Sequence, residues 1–122
     1  MALSIKDLDI LEFAKGYDER VEKIILGNML VIPNAIKDVA AVVKVDDFYI
    51  GSHRKIYQAI LTSFDESNQT IIIPVKKELE RIGELNNIGG LDYLVDLVEI
   101  GSSDRYIRRY VEYIKKRCWL WN

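Results

Sequence analysis

Whatever chemistry this sequence supports has to come from a handful of residues. His53 is the single histidine, set in Ser52-His53-Arg54-Lys55. A general base needs a nucleophile and an orienting partner within hydrogen-bond reach. The neighbours of His53 are a serine and two cations that disfavour imidazolium. Ser52 reads as the N-cap of a helix, and the spacing of His53 to Ile56 and Tyr57 makes the histidine a packing residue at that helix's start. Asp46-Asp47 and Asp65-Glu66 are carboxylate pairs, but nothing arranges them around a metal or a scissile bond. The first pair suits a helix start and the second a solvated turn. Gly89-Gly90 opens a helix, and a helix start can hold an anion; here no lysine follows and Asp92 repels phosphate. No G-x-x-x-x-G-K-[ST] loop is present to cradle a nucleotide. Cys118 is the only cysteine, which excludes an intrachain disulfide and a paired-thiol zinc motif. No catalytic, cofactor-binding or metal residue is assigned.

A basic strip runs along the C-terminal segment through Arg105, Arg108, Arg109, Lys115, Lys116 and Arg117. It could touch nucleic acid, but its last members also suit a helix C-terminus, and a solvated face explains the rest. The formal net charge is −2, so no global field draws the chain towards phosphate. Hydrophobic residues make up 49% and charged residues 30%, as in a folded globular domain rather than a disordered chain. No apolar run has the length of a membrane span, and Lys6, Asp7 and Asp9 interrupt any signal-peptide core. A cytoplasmic protein is the expectation.

The elements that carry these residues read as helices throughout. Helix one starts at Asp18 after a leader, residues 1–17, and turns Val21, Ile24, Ile25 and Met29 inward. Pro33 and Pro74 each introduce a helix, where their missing N–H costs nothing. Helix two buries Ile36, Val39, Ala40 and Val43, and helix three Ile56, Ala59, Ile60 and Phe64. Thr70-Ile71-Ile72-Ile73 has the β-branched look of a strand, but without a partner strand it lays apolar side chains over the core. Helix four carries Val75, Leu79 and Ile82 at i, i+4 and i+7. Gly83 ends it in a left-handed cap conformation; Asn86-Asn87 turns the chain, while Leu85 and Ile88 pin the connection.

Helices five and six should form an antiparallel hairpin about Gly101-Ser102. Helix six, from about Ser103 to Leu120, places Ile107, Tyr110, Val111, Ile114 and Cys118 on one stripe, flanked by Tyr106 and Tyr113. Helix five has two apolar stripes: Leu91, Leu94, Val95 and Val98 on one side, Tyr93, Leu97 and Ile100 on the other. A helix apolar on two sides needs cover on both, and a head of residues 18–88 can cover one. Tyr93, Leu97, Ile100, Tyr106 and Tyr113 then lack an intrachain home. At roughly 1.5–3 kcal/mol each they represent about 7–15 kcal/mol of gross burial. A two-fold dimer doubles this to about 15–30 kcal/mol, against an association cost on the order of 4–15 kcal/mol. Self-association through Tyr93, Leu97, Ile100, Tyr106, Tyr110 and Tyr113 is therefore expected.

E-L-x-x-I-G-G-x-x-Y-L, here Glu84-Leu85 through Tyr93-Leu94, resembles the N-terminal domain of DnaB-type replicative DNA helicases. Other pieces fall in the same order: Leu26-Gly27 before Pro33, D-D-F-Y at 46–49 before His53 and Ile56-Tyr57, K-K-E-L-E-R-I-G at 76–83, and R-x-Y-V-E-Y-I-K-K-R from Arg108 to Arg117. The likeness covers about residues 18–117. Arg20-Val21-Glu22-Lys23 stands where the family has E-A-E-Q, and the hairpin joint lacks the family's proline, alanine and asparagine. The resemblance implies an all-α fold of six helices, a globular head (18–88) with a protruding hairpin (89–118), and a tail or linker start at 119–122. It implies dimers paired through hairpins, three of which form the collar of a hexameric ring, and docking of primase and a helicase loader. Tyr93 matches the family tyrosine at or near the primase-contacting surface. ATP, magnesium and most DNA contact belong to a motor domain absent from this chain, which reads as an excised domain or a truncated relative. Two rival readings are a primase's helicase-binding domain and a small DNA-binding domain using the basic face; the D-D-F-Y…H-x-x-I-Y pattern favours the helicase over the first.

Overall fold

A computed structural model describes residues 5–65, 71–103 and 106–121. Among these the chain is all-α, with no strand: α1 (Ile5–Val31), α2 (Asn34–Val42), a 3-10 turn (Val45–Asp47), α3 (Gly51–Ser63), α4 (Ile72–Arg81), α5 (Gly90–Ser103) and α6 (Ile107–Trp121). Helix α1 begins at Ile5 rather than Asp18, so 5–17 continue the first helix instead of leading up to it. At 27 residues it is about 40 Å long, and it is the axis of the molecule.

The reason lies in its sequence. From Val21 to Leu30 every residue but Lys23 is buried, so α1 needs cover on all sides. Helices α2 and α3 cover one side with Ile36, Val39, Ile56 and Ile60, and α4 closes over α3 with Val75 and Leu79. Phe48 and Tyr57 fill the centre, their rings 4.8 Å apart. The Tyr57 hydroxyl donates to the Val43 carbonyl at 2.7 Å, which satisfies a polar group in an apolar place.

The other sides of α1 are covered by α5 and α6. Lys23 lies over the Tyr93 ring, and Gly27 meets Leu97 and Gly101, so α5 runs parallel to α1. The Tyr113 hydroxyl reaches Asp18, so α6 returns antiparallel. Lys115 of α6 pairs with Asp47 at 2.9 Å. Both members of the expected hairpin are thus seated on α1.

That seating corrects the reading of α5. Leu94, Leu97 and Gly101 face α1 and are buried, whereas Leu91 and Val95 stay 38% and 40% exposed. The packed line draws on both stripes, taking Leu94 from the one expected inside and Leu97 from the one taken as excess, with Tyr93 and Ile100 half-buried beside it. Small residues decide it: a Cβ on Gly27 would lie 2.9 Å from the Gly101 nitrogen, so α5 approaches α1 along this line only because neither residue has a side chain.

Smaller corrections follow the same physics. Ser52 is the second residue of α3, after an extended Ile50, and caps nothing by side chain. Ile71 is fully buried, and Ile72 and Ile73 already belong to α4, with Pro74 third in its first turn, where the missing N–H still costs nothing. Ile82, expected inside, is the C-cap of α4 and is 42% exposed. Asp46-Asp47 lies in the 3-10 turn rather than at a helix start; Asp47 accepts the Lys44 N–H at 2.8 Å. Arg105, Glu66 and the side chains of Arg117, Cys118, Trp119, Leu120 and Trp121 lie outside the described residues.

Candidate functional site

The connection between α4 and α5 delivers Tyr93 to one place. Gly83 adopts φ +73°. Its N–H bonds to the Glu80 carbonyl and the Glu84 N–H to the Leu79 carbonyl, which closes α4 in the expected left-handed cap. Glu84 then accepts from Lys55 at 2.7 Å and from Asn87 at 3.0 Å, tying the loop to α3. Ile88 is buried and Leu85 half-buried. At Gly89 (φ +110°) a Cβ would lie 2.9 Å from the Tyr93 Cβ, so the tyrosine sits where a larger residue would displace it.

Tyr93 joins a buried polar chain across three helices. The His53 ring donates from Nδ1–H to the Glu22 Oε1 at 2.8 Å, and its Nε2 is hydrogen-bonded with the Tyr93 hydroxyl at 2.5 Å. Glu22 also accepts the Tyr49 N–H at 2.7 Å and the Ile50 N–H at 3.3 Å. The carboxylate, an acceptor only, fixes the tautomer. Glu22 and His53 are fully buried. The chain therefore welds α1, α3 and α5 at one point.

Orienting carboxylate, imidazole and hydroxyl stand in the order of a nucleophilic triad. The electrostatics oppose that use. Burial first, then the charges of Glu19, Glu22 and Asp96, push the Tyr93 phenol up to about 12. It stays protonated near neutrality and holds the helices rather than attacking a substrate. Among the described residues no group of three His, Cys, Asp or Glu could hold a metal ion.

His53 is thus the buried packing residue expected, but its partners were not foreseen. Glu22 was missed. It lies at i, i+4 and i+7 with Leu26 and Met29, so a carboxylate on an apolar face was the available signal.

The outer side of Tyr93 meets solvent. Its ring lines a hollow of about 210 Å³ with Lys23, Asp96, Leu97, Glu99 and Ile100. Of the residues expected to self-associate, Leu97 is fully buried in the chain's own core; Tyr93, Ile100, Tyr110 and Tyr113 are half-buried. Tyr106 alone is widely open, 72% exposed, with the Arg109 guanidinium 5.8 Å from its ring centre. Leu97 and Tyr93 are claimed by α1 and His53 because the glycine contact brings α5 in. Of the basic strip, Lys115 is engaged with Asp47, while Arg108, Arg109 and Lys116 remain exposed.

Comparison with known proteins fits this architecture. The family model for the DnaB-like helicase N terminal domain matches residues 14–116. The replicative DNA helicase DnaB of Leifsonia xyli subsp. xyli is 39% identical over 84 residues, covering 69% of this chain and 18% of the relative. The replicative DNA helicase DnaC of Bacillus subtilis is 30% identical over 96 residues, covering 79% of this chain and 21% of the relative. The crystal structure of the N-terminal domain of DnaB helicase from Mycobacterium tuberculosis superposes with a TM-score of 0.69 at 31% identity, over 78% of this chain and 66% of that one. This chain therefore spans about a fifth of those two helicases. With the six-helix fold and the ordered motifs, these matches place the chain in the DnaB-like helicase N-terminal domain family, the N-terminal domain of replicative DNA helicases.

Proposed function

We propose that this chain is the non-catalytic assembly and docking domain of a replicative DNA helicase, associating with itself through the outer surface of α5 and α6 and receiving primase beside Tyr93. The observation that carries the reading is the character of that surface. Leu91 and Val95 of α5 and Tyr106 just before α6 are exposed, and the hollow at Tyr93 opens on the other flank of α5. Large apolar groups left exposed on a small domain point to an interaction surface. The support comes from these exposed groups and not from Leu97, which the chain's own core buries.

A nucleic-acid role through α6 is the weaker reading. Lys115 is neutralised by Asp47, and Glu112 sits among the remaining cations. The test is sedimentation velocity over a range of concentrations. Wild-type chain is expected to shift from monomer to dimer, and Tyr106→Glu to remain monomeric. A wild-type chain that stays monomeric throughout would contradict the self-association reading. For the docking part, titration with a primase helicase-binding domain should give saturable binding weakened by Ile100→Glu; no binding would remove that role.

A further inference from the structure

Lys115 of α6 ends on a carboxylate that belongs to the 3-10 turn. Its Nζ lies 2.9 Å from Asp47 Oδ2, and the same oxygen accepts the Lys44 N–H at 2.8 Å. The turn runs straight on into backbone that is bonded at each step. The Phe48 carbonyl accepts from Arg54 Nε at 2.7 Å, and the Phe48 ring is buried against Tyr57. The Tyr49 and Ile50 N–H groups both donate to Glu22. Residues 47–50 thus form a short pinned segment between a contact with α6 and a buried carboxylate.

Glu22 gives that segment its consequence. A carboxylate in an apolar interior is costly unless donors surround it. Glu22 is fully buried, and its oxygens take the Tyr49 N–H, the Ile50 N–H and His53 Nδ1–H. The two backbone donors come from the segment that Asp47 anchors. A shift of the turn withdraws them, and the imidazole bonded to the same carboxylate must readjust. Its Nε2 is bonded with the Tyr93 hydroxyl, so the tyrosine follows. Buried polar networks act together in this way, because one lost member leaves its neighbours unsatisfied. At Tyr93 the path reaches solvent, where the ring lines the hollow on α5.

We propose that this path is a coupling device: the seating of α6 on the 3-10 turn, through Lys115 and Asp47, sets the position of Tyr93 by way of Glu22 and His53. Whatever draws Lys115 off Asp47 is then felt at the hollow on α5. The device depends on no second copy and no docked partner, since every bond of it lies within one chain. The other polar tie of α6, from the Tyr113 hydroxyl to Asp18, lands on α1 itself and bypasses the turn. That difference separates coupling through the turn from a general loosening of α6.

Double-mutant cycles read from urea unfolding of the whole chain test this. Lys115→Met removes the ammonium and keeps the stem, and Tyr93→Phe removes the hydroxyl and keeps the ring. Unconnected sites change the unfolding constant independently, their effects multiplying to within about twofold. Here the double variant is expected to be less destabilised than the product of the singles by about threefold or more, because either change alone already slackens the bonds at Glu22. The same cycle with Tyr113→Phe in place of Lys115→Met is expected to multiply within about threefold. A Lys115–Tyr93 cycle that multiplies within about threefold overturns the coupling. An equally large departure with Tyr113→Phe also overturns it, since loosening α6 by any route would then suffice. The His53 ring signals in NMR spectra give a reading on single variants. Lys115→Met is expected to shift them and Tyr113→Phe to leave them in place; signals unmoved by Lys115→Met overturn the proposal.

Discussion

Gly27 of α1 and Gly101 of α5 meet backbone to backbone. A Cβ on Gly101 would lie 2.5 Å from the Asn28 nitrogen and 2.7 Å from the Gly27 Cα. Neither atom can move without bending α1, which is buried from Val21 to Leu30 at every residue but Lys23. The two glycines therefore choose which stripe of α5 faces the core. Gly101→Ala is expected to lower unfolding free energy by about 1–3 kcal/mol, the usual cost of overpacking, read from the urea midpoint. Gly51, whose Cβ would meet nothing, is the control: Gly51→Ala should be close to neutral. Equal midpoints for the two variants would contradict the close approach.

The Glu22–His53–Tyr93 chain makes a different demand. Tyr93→Phe keeps the ring and removes the hydroxyl, leaving His53 Nε2 buried without its hydrogen-bond partner. The expected loss is about 1–3 kcal/mol, the cost of an unsatisfied buried polar atom. Tyr49→Phe, at a ring 71% exposed, should change little. A neutral Tyr93→Phe would show that the hydroxyl bond contributes nothing.

Two phenols set an alkaline limit. Burial and the Asp47 charge push Tyr57 up to about 12, and Tyr93 is pushed up to about 12 as well. In the unfolded chain both ionise near 10. The unfolded state therefore releases its protons first, and the stability due to these groups is complete below pH ~10 and lost as pH rises through ~12. Denaturant midpoints should fall across that window. The phenolate absorbance of the folded chain should show Tyr57 and Tyr93 titrating late. Ionisation of both near pH ~10 in folded protein would contradict this.

Gly83 tests the loop that aims α5. At φ +73° a β-branched residue is strained even though nothing crowds the position. Gly83→Val is expected to cost about 1–3 kcal/mol and to weaken association. A normal melt with a normal monomer–dimer profile would contradict that.

Much of this fold was legible in the sequence. The inward stripes of α1, α2 and α3 follow helical periodicity, and Gly83 and Gly89-Gly90 carry positive φ where the turn needs it. Periodicity failed at α5 for a definite reason. A wheel with apolar residues on two sides does not say which side is packed; that was settled by Gly27, far away in sequence, lying opposite Gly101. The buried chain was illegible for a similar reason. Glu22, His53 and Tyr93 come from three helices, and only the completed packing brings a carboxylate to the imidazole. The large apolar groups left exposed are accordingly Leu91, Val95 and Tyr106 rather than Leu97.

Self-association through the outer face of α5 and α6 is tested most directly by hydrogen exchange measured on dilute and concentrated chain. Slowing of exchange with concentration is expected in residues 91–113, with 34–42 and 72–81 unchanged. Slowing confined to 34–42 or 72–81, or no concentration dependence while sedimentation shows a dimer, would contradict it.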